Sequence, residues 1–103
     1  MPGPLVQGTF ATAQNAVSGN ASDVLVVHSS ITTMRLTLTG LDASNTVKTQ
    51  KRTTPGAAFV DQTTYSSDQV SVAVTVAANE EWRVLGVTQQ ATKDIRYKMS
   101  LES

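Results

Sequence analysis

His28, in Val27-His28-Ser29, is the chain's one imidazole, and there is no cysteine. A metal centre would then have to be completed by carboxylates. Asp23, the nearest one, forms no HxH, HxxE or HExxH spacing with His28. A hydrolytic triad lacks its nucleophile elbow, because no Gly-x-Ser-x-Gly occurs. Glu80 and Glu81 are adjacent, so on a strand they point to opposite faces and cannot flank one glycosidic bond. They read as a solvated turn entering the segment at Trp82. No D-x-D-x-D-G calcium loop and no glycine-rich phosphate loop is present. The expectation is therefore no catalytic, cofactor-binding or metal-ligating residue, with His28 a strand-end histidine making ordinary hydrogen bonds.

Two further groups could bind rather than react. Lys48, Lys51 and Arg52 place three of the eight basic residues within five positions. They would suit an acidic partner or phosphates, but an exposed edge strand guarded by charge is the preferred reading. Lys48 and Arg52 share a strand face and Lys51 takes the other, so they form no single stripe. The aromatic residues are Phe10, Phe59, Tyr65, Trp82 and Tyr97. A chain this size is expected to spend most of them on its core, Trp82 above all. A sugar platform would need Trp82, Tyr65 or Tyr97 exposed in a groove. Asn20-Ala21-Ser22 matches a glycosylation sequon, unsupported by any secretion signal.

The elements that must hold these groups repeat with a period of two. Val70, Val72, Val74 and Val76 alternate with Ser71, Ala73 and Thr75. Four β-branched residues on one strand face favour a strand over a helix, where each loses rotamer freedom. Met34, Leu36 and Leu38 alternate with Arg35, Thr37 and Thr39, and Gly40 ends the run. Ile95, Tyr97, Met99 and Leu101 do the same near the C-terminus. Residues 24–27 form a short apolar run that predicts a strand covered on both faces. Residues 82–87 change parity near Gly86, where a bulge is expected. Residues 5–11 and 46–52 predict further strands, and 58–61 a short one. Turn signals at 18–20, 42–45, 54–56, 66–68 and 78–80 separate them. Residues 11–16, the richest helical candidate, lack large apolar side chains.

Length and composition agree with this pattern. The chain has 103 residues, eight basic and eight acidic side chains, and only 16% charged residues. A neutral balance argues against a dedicated nucleic-acid binder. No apolar run approaches the ~20 residues of a membrane span. The start, Met-Pro-Gly-Pro, has no basic or apolar leader, so a complete, soluble product of cytoplasmic synthesis is expected. The fold expected is all-β, a single antiparallel β-sandwich or small barrel of about seven to nine strands. Within this one domain, residues 1–19 form a flexible arm and first strand, suited to contacting a partner, and 20–103 the sandwich.

The order of these segments resembles the small β-sandwich virion proteins of tailed bacteriophages, particularly capsid decoration or cement proteins. The resemblance rests on Gly8-Thr9-Phe10, on 36–40, on the polar strand around Gln50, and on Phe59-Val60-Asp61 with Tyr65. It continues through Trp82-Arg83-Val84-Leu85 and the closing strand at 95–101. It implies a non-enzymatic structural protein, located in the virion after synthesis in the host cytoplasm. The partner would be the major capsid protein or another virion protein, with homo-oligomerisation, such as a trimer at a capsid symmetry axis. No nucleic acid, membrane or cofactor is implied, and no contact residue is transferred. The alternative is a carbohydrate-binding or other accessory β-module of the tail or neck.

Overall fold

The computed structural model describes residues 5–10, 21–27, 32–54, 56–88 and 93–102. These residues form eight strands and no helix: β1 (Leu5–Phe10), β2 (Leu25–Val26), β3 (Thr33–Thr39), β4 (Thr46–Arg52), β5 (Val60–Tyr65), β6 (Gln69–Thr75), β7 (Glu81–Thr88) and β8 (Ile95–Glu102). They pair into two four-stranded antiparallel sheets, ordered β1-β8-β3-β6 (sheet A) and β2-β7-β4-β5 (sheet B). The inner faces enclose one core, so the fold is the expected antiparallel sandwich. His28, the segment 11–16 and residues 1–4 of the N-terminal arm lie outside the described residues.

Alternation fixes which face each strand buries. Met34, Leu36 and Leu38 are fully buried, while Arg35, Thr37 and Thr39 face outward. Ile95, Met99 and Leu101 meet them from β8. Val47, Trp82 and Val84 supply the opposing layer from sheet B. Burying each such side chain stabilises the fold by roughly 1.5–3 kcal/mol.

Four expectations need correction. The valine row does not hold one face: Val72, Val74 and Val76 pack into or against the core, but Val70 is 78% exposed. Between Leu36–Val72 and Leu38–Gln69 the pairing advances two residues on β3 and three on β6. That bulge, with Ser71 at φ 47°, turns Val70 outward. The run at 24–27 is covered on one face only. Leu25 and Val27 are buried, but Val24 and Val26 are exposed, because among the described residues no second layer covers the outer face of β2, an edge strand. The strand expected at 58–61 runs instead over Val60–Tyr65, its polar Gln62, Thr63 and Thr64 being tolerated at a sheet edge. Finally, the basic strand β4 is not an edge: it lies between β7 and β5.

The bulge expected near Gly86 is present. Thr46 pairs with Thr88 and Val47 with Gly86, leaving Val87 as the extra residue. The edge strands β5 and β6 are also bulged, and β2 is only two residues long. Bulged and short edges resist edge-to-edge association.

Gly8 has a packing reason. It pairs with Tyr97, and an added Cβ would lie 2.5 Å from the Tyr97 hydroxyl oxygen and 2.9 Å from the ring. The ring is held against Phe10, centroids 4.8 Å apart. An aromatic covering a cross-strand glycine is a known sheet device. Gly8→Ala is expected to lose about 1–3 kcal/mol in urea unfolding, as overpacking does. In a double-mutant cycle with Tyr97→Leu the two losses should not add.

Candidate functional site

The charged residues of sheet B gather around β4, and their partners decide what they can do. Lys48 donates to Asp61 Oδ2 at 2.9 Å. Gln50, nearly buried, donates to Asp61 Oδ1 at 2.7 Å and accepts from Arg83 Nε at 2.9 Å. Arg52 Nε donates to Glu81 Oε1 at 2.7 Å. Phe59 packs against two guanidinium groups, Arg83 at 4.0 Å and Arg52 at 4.5 Å from its ring centre. Such cation–π contacts contribute about 0.5–1 kcal/mol at exposed sites. The hydrogen bond from Gln50, and then Lys48, holds the Asp61 carboxyl below its usual range.

Lys51 points the other way, as its parity requires. Its ammonium lies 2.9 Å from Glu80 Oε2 and 5.7 Å from the Trp82 ring centre. Glu80 Oε1 also accepts from the Ala77 amide at 2.8 Å and the Trp82 indole at 3.1 Å. Burial alone would raise this carboxyl's pKa. Lys51, the Ala77 amide and the indole outweigh it, and the pKa is lowered from 4.5. A carboxylate stabilised in its charged form by three donors is a structural anchor, not a general acid.

The carboxylate pair is therefore no solvated turn. Glu80 and Glu81 are 7% and 8% exposed, each paired with a different cation on β4. Sequence alone misses this because the pairing depends on β4 lying beside β7, in a register that sets Lys51 against Trp82 and Arg52 against Glu81. The basic cluster serves neither as an edge guard nor as a free phosphate contact, since each of its members is held by an acid of this chain. The depressed Glu80 pKa gives stability that is present above the unfolded carboxyl's pKa and lost as pH falls through the folded one. Acid unfolding is thus expected to steepen below about pH 4.5, and Glu80→Gln should flatten that limb. Urea titrations at stepped pH read both.

Trp82 is 3% exposed and belongs to the core, as does Phe10. Tyr65 and Tyr97 are half-buried against that core, and Tyr97 also borders a depression on sheet A. Burial, then Asp23, raises the Tyr97 pKa. Among the described residues no group of three metal-ligating side chains occurs.

The outer face of sheet A is different. Thr9, Thr33, Thr37, Thr39, Ser71, Thr75 and Ser100 share it by parity, and Arg35 is tied to Glu102 at 2.6 Å. A shallow depression of about 420 Å³ crosses β1, β8 and β3, walled by Gln7, Thr9, Thr37, Thr39, Arg96 and Lys98. Composition disclosed the threonine load but not its gathering on one face, which needs the strand order.

Fold and site together define an all-β sandwich with a self-paired charged face on one sheet and a hydroxyl-rich face on the other. Comparison with family models, curated proteins and solved structures found no match.

Proposed function

We propose that this chain is a non-enzymatic structural protein acting by surface contact, and specifically a capsid decoration or cement protein of a tailed bacteriophage. The observation that carries the reading is the outer face of sheet A, broad and rich in threonine and serine, where Arg35 and Glu102 neutralise each other and Arg96 and Lys98 stand among neutral hydroxyl and amide side chains. Interface centres are depleted in charged residues, because each buried charge must be desolvated. A hydroxyl-rich face can be covered at little such cost. The self-paired cations of sheet B leave that sheet's charge largely satisfied within the chain. The bacteriophage assignment adds the segment-order resemblance to this physical reading. Many copies on a lattice would gain avidity from individually weak contacts, and self-association into a trimer at a symmetry axis fits the same arrangement.

Co-sedimentation with purified phage heads tests it. Saturable pelleting is expected, with no binding on a glycan array. Glycan binding without head binding would replace the reading with an accessory carbohydrate-binding module of the tail or neck.

A further inference from the structure

Most cations of this chain have an acidic partner within it: Arg35, Lys48, Lys51, Arg52 and Lys93 all form ion pairs. Arg83 is held by Gln50 and Phe59. Arg96 and Lys98 are the exceptions among the described residues, with no ion pair or side-chain hydrogen bond, and both are exposed. Their setting is ordered. The register aligns Gln7, Lys98 and Thr37 in one row across β1, β8 and β3, and Thr9, Arg96 and Thr39 in the next. Each row has a cation at its centre and neutral hydrogen-bonding side chains on both sides. Together the rows wall the depression of about 420 Å³ on sheet A.

Two residues of one strand on the same face are roughly 7 Å apart along it. Carboxylates at alternate positions of another extended segment have the same spacing. From this match of charge and repeat, and resting on the surface-contact reading above, we infer that the depression docks an extended acidic segment of the protein partner. Alternate carboxylates of that segment pair with Arg96 and Lys98, while the flanking Gln7, Thr9, Thr37 and Thr39 hydrogen-bond to it. Arg96 can take its carboxylate with two parallel N–H donors, and Lys98 acts as a point charge. A zero net charge disfavours a nucleic acid as the occupant.

The test uses the full chain and three short peptides: glutamate alternating with threonine, the same peptide with glutamine for glutamate, and one with its glutamates in a contiguous block. NMR titration is expected to show the alternating peptide shifting the amides of Gln7, Thr37, Arg96 and Lys98. Its affinity should exceed that of the other two and fall about tenfold or more in Arg96→Gln/Lys98→Gln. That variant removes no ion pair or side-chain hydrogen bond, so its melting temperature should match the parent's; Lys48→Gln serves as a binding control. Equal binding of block and alternating peptides overturns the inference. So do tighter binding of a thymidine oligonucleotide, displacement of the peptide by equimolar inorganic phosphate, and an absence of peptide binding. Head co-sedimentation that persists through any of these would leave the proposed function standing, and its loss alone would remove that function instead.

Discussion

Gly40→Ala is expected to be among the most damaging single changes, costing about 3 kcal/mol or more. Two terms combine. Gly40 has φ +85°, in the left-handed region where a Cβ costs roughly 1–2 kcal/mol. An added Cβ would also collide with the backbone carbonyl oxygen of Asp94. That neighbour cannot rotate away as a side chain could, so the approach to β8 must shift. Gly56 separates the terms, with φ +86° and nothing within 4 Å of a built Cβ. Gly56→Ala should lose only about 1 kcal/mol, the conformational part alone. The difference between the two variants in urea unfolding measures the collision. Equal losses would show that Asp94 yields freely.

Asn45→Leu should be nearly as severe, at about 2–4 kcal/mol. Asn45 is fully buried, and its Nδ2 donates to the carbonyls of Gly40 at 3.0 Å and Lys93 at 3.1 Å. Leucine fills a similar volume but leaves both oxygens without that donor, each a cost of roughly 1–3 kcal/mol. Asn45→Asp is a sharper probe. At neutral pH its carboxylate would face two carbonyl oxygens, which raises its folded pKa. Its deficit relative to the parent should shrink as acid protonates it and restores one donor. Thermal melts of both variants at neutral and acidic pH check this.

The two residues matter for one reason. The β3–β4, β5–β6 and β7–β8 connections each pass from one sheet to the other. The described parts of all three meet at this end of the sandwich. Asn45 joins the first to the third, and Lys93 pairs with Asp42 at 3.0 Å. Asp68 accepts from the Leu41 amide at 2.9 Å, bringing in the second. This corner fixes where sheet A lies over sheet B, and so holds the rows of β8 and β3 in place.

Local alternation carried far in the sequence. The inward rows of β3 and β8 could be read because each apolar residue is separated from the next by one polar residue, and the bulge at Gly86 could be read from the parity change. Val70 could not, since a bulge at Ser71 leaves no trace in an unbroken valine row. The turn residues Asp42, Asn45 and Asp68 were visible as turn formers, but their joining across the sheets was not. The same holds for the charges. Lys51 and Arg52 stand out as neighbours in sequence, yet Glu80 and Glu81 reach them only through the β4–β7 register. The hydroxyl-rich face of sheet A likewise gathers residues from four strands. Long-range pairing, which no local pattern encodes, assembles both faces.

The most direct test of the surface-contact account is co-sedimentation with heads assembled from the major capsid protein encoded nearest to this chain. Three proteins are compared: the parent, Thr9→Glu/Thr39→Glu on the outer face of sheet A, and Gln62→Glu on the exposed edge strand of sheet B. The parent and the Gln62 variant are expected to pellet to the same saturation, and the double variant to remain in the supernatant. A parent that never pellets, or a double variant that pellets as the parent does, would contradict the account.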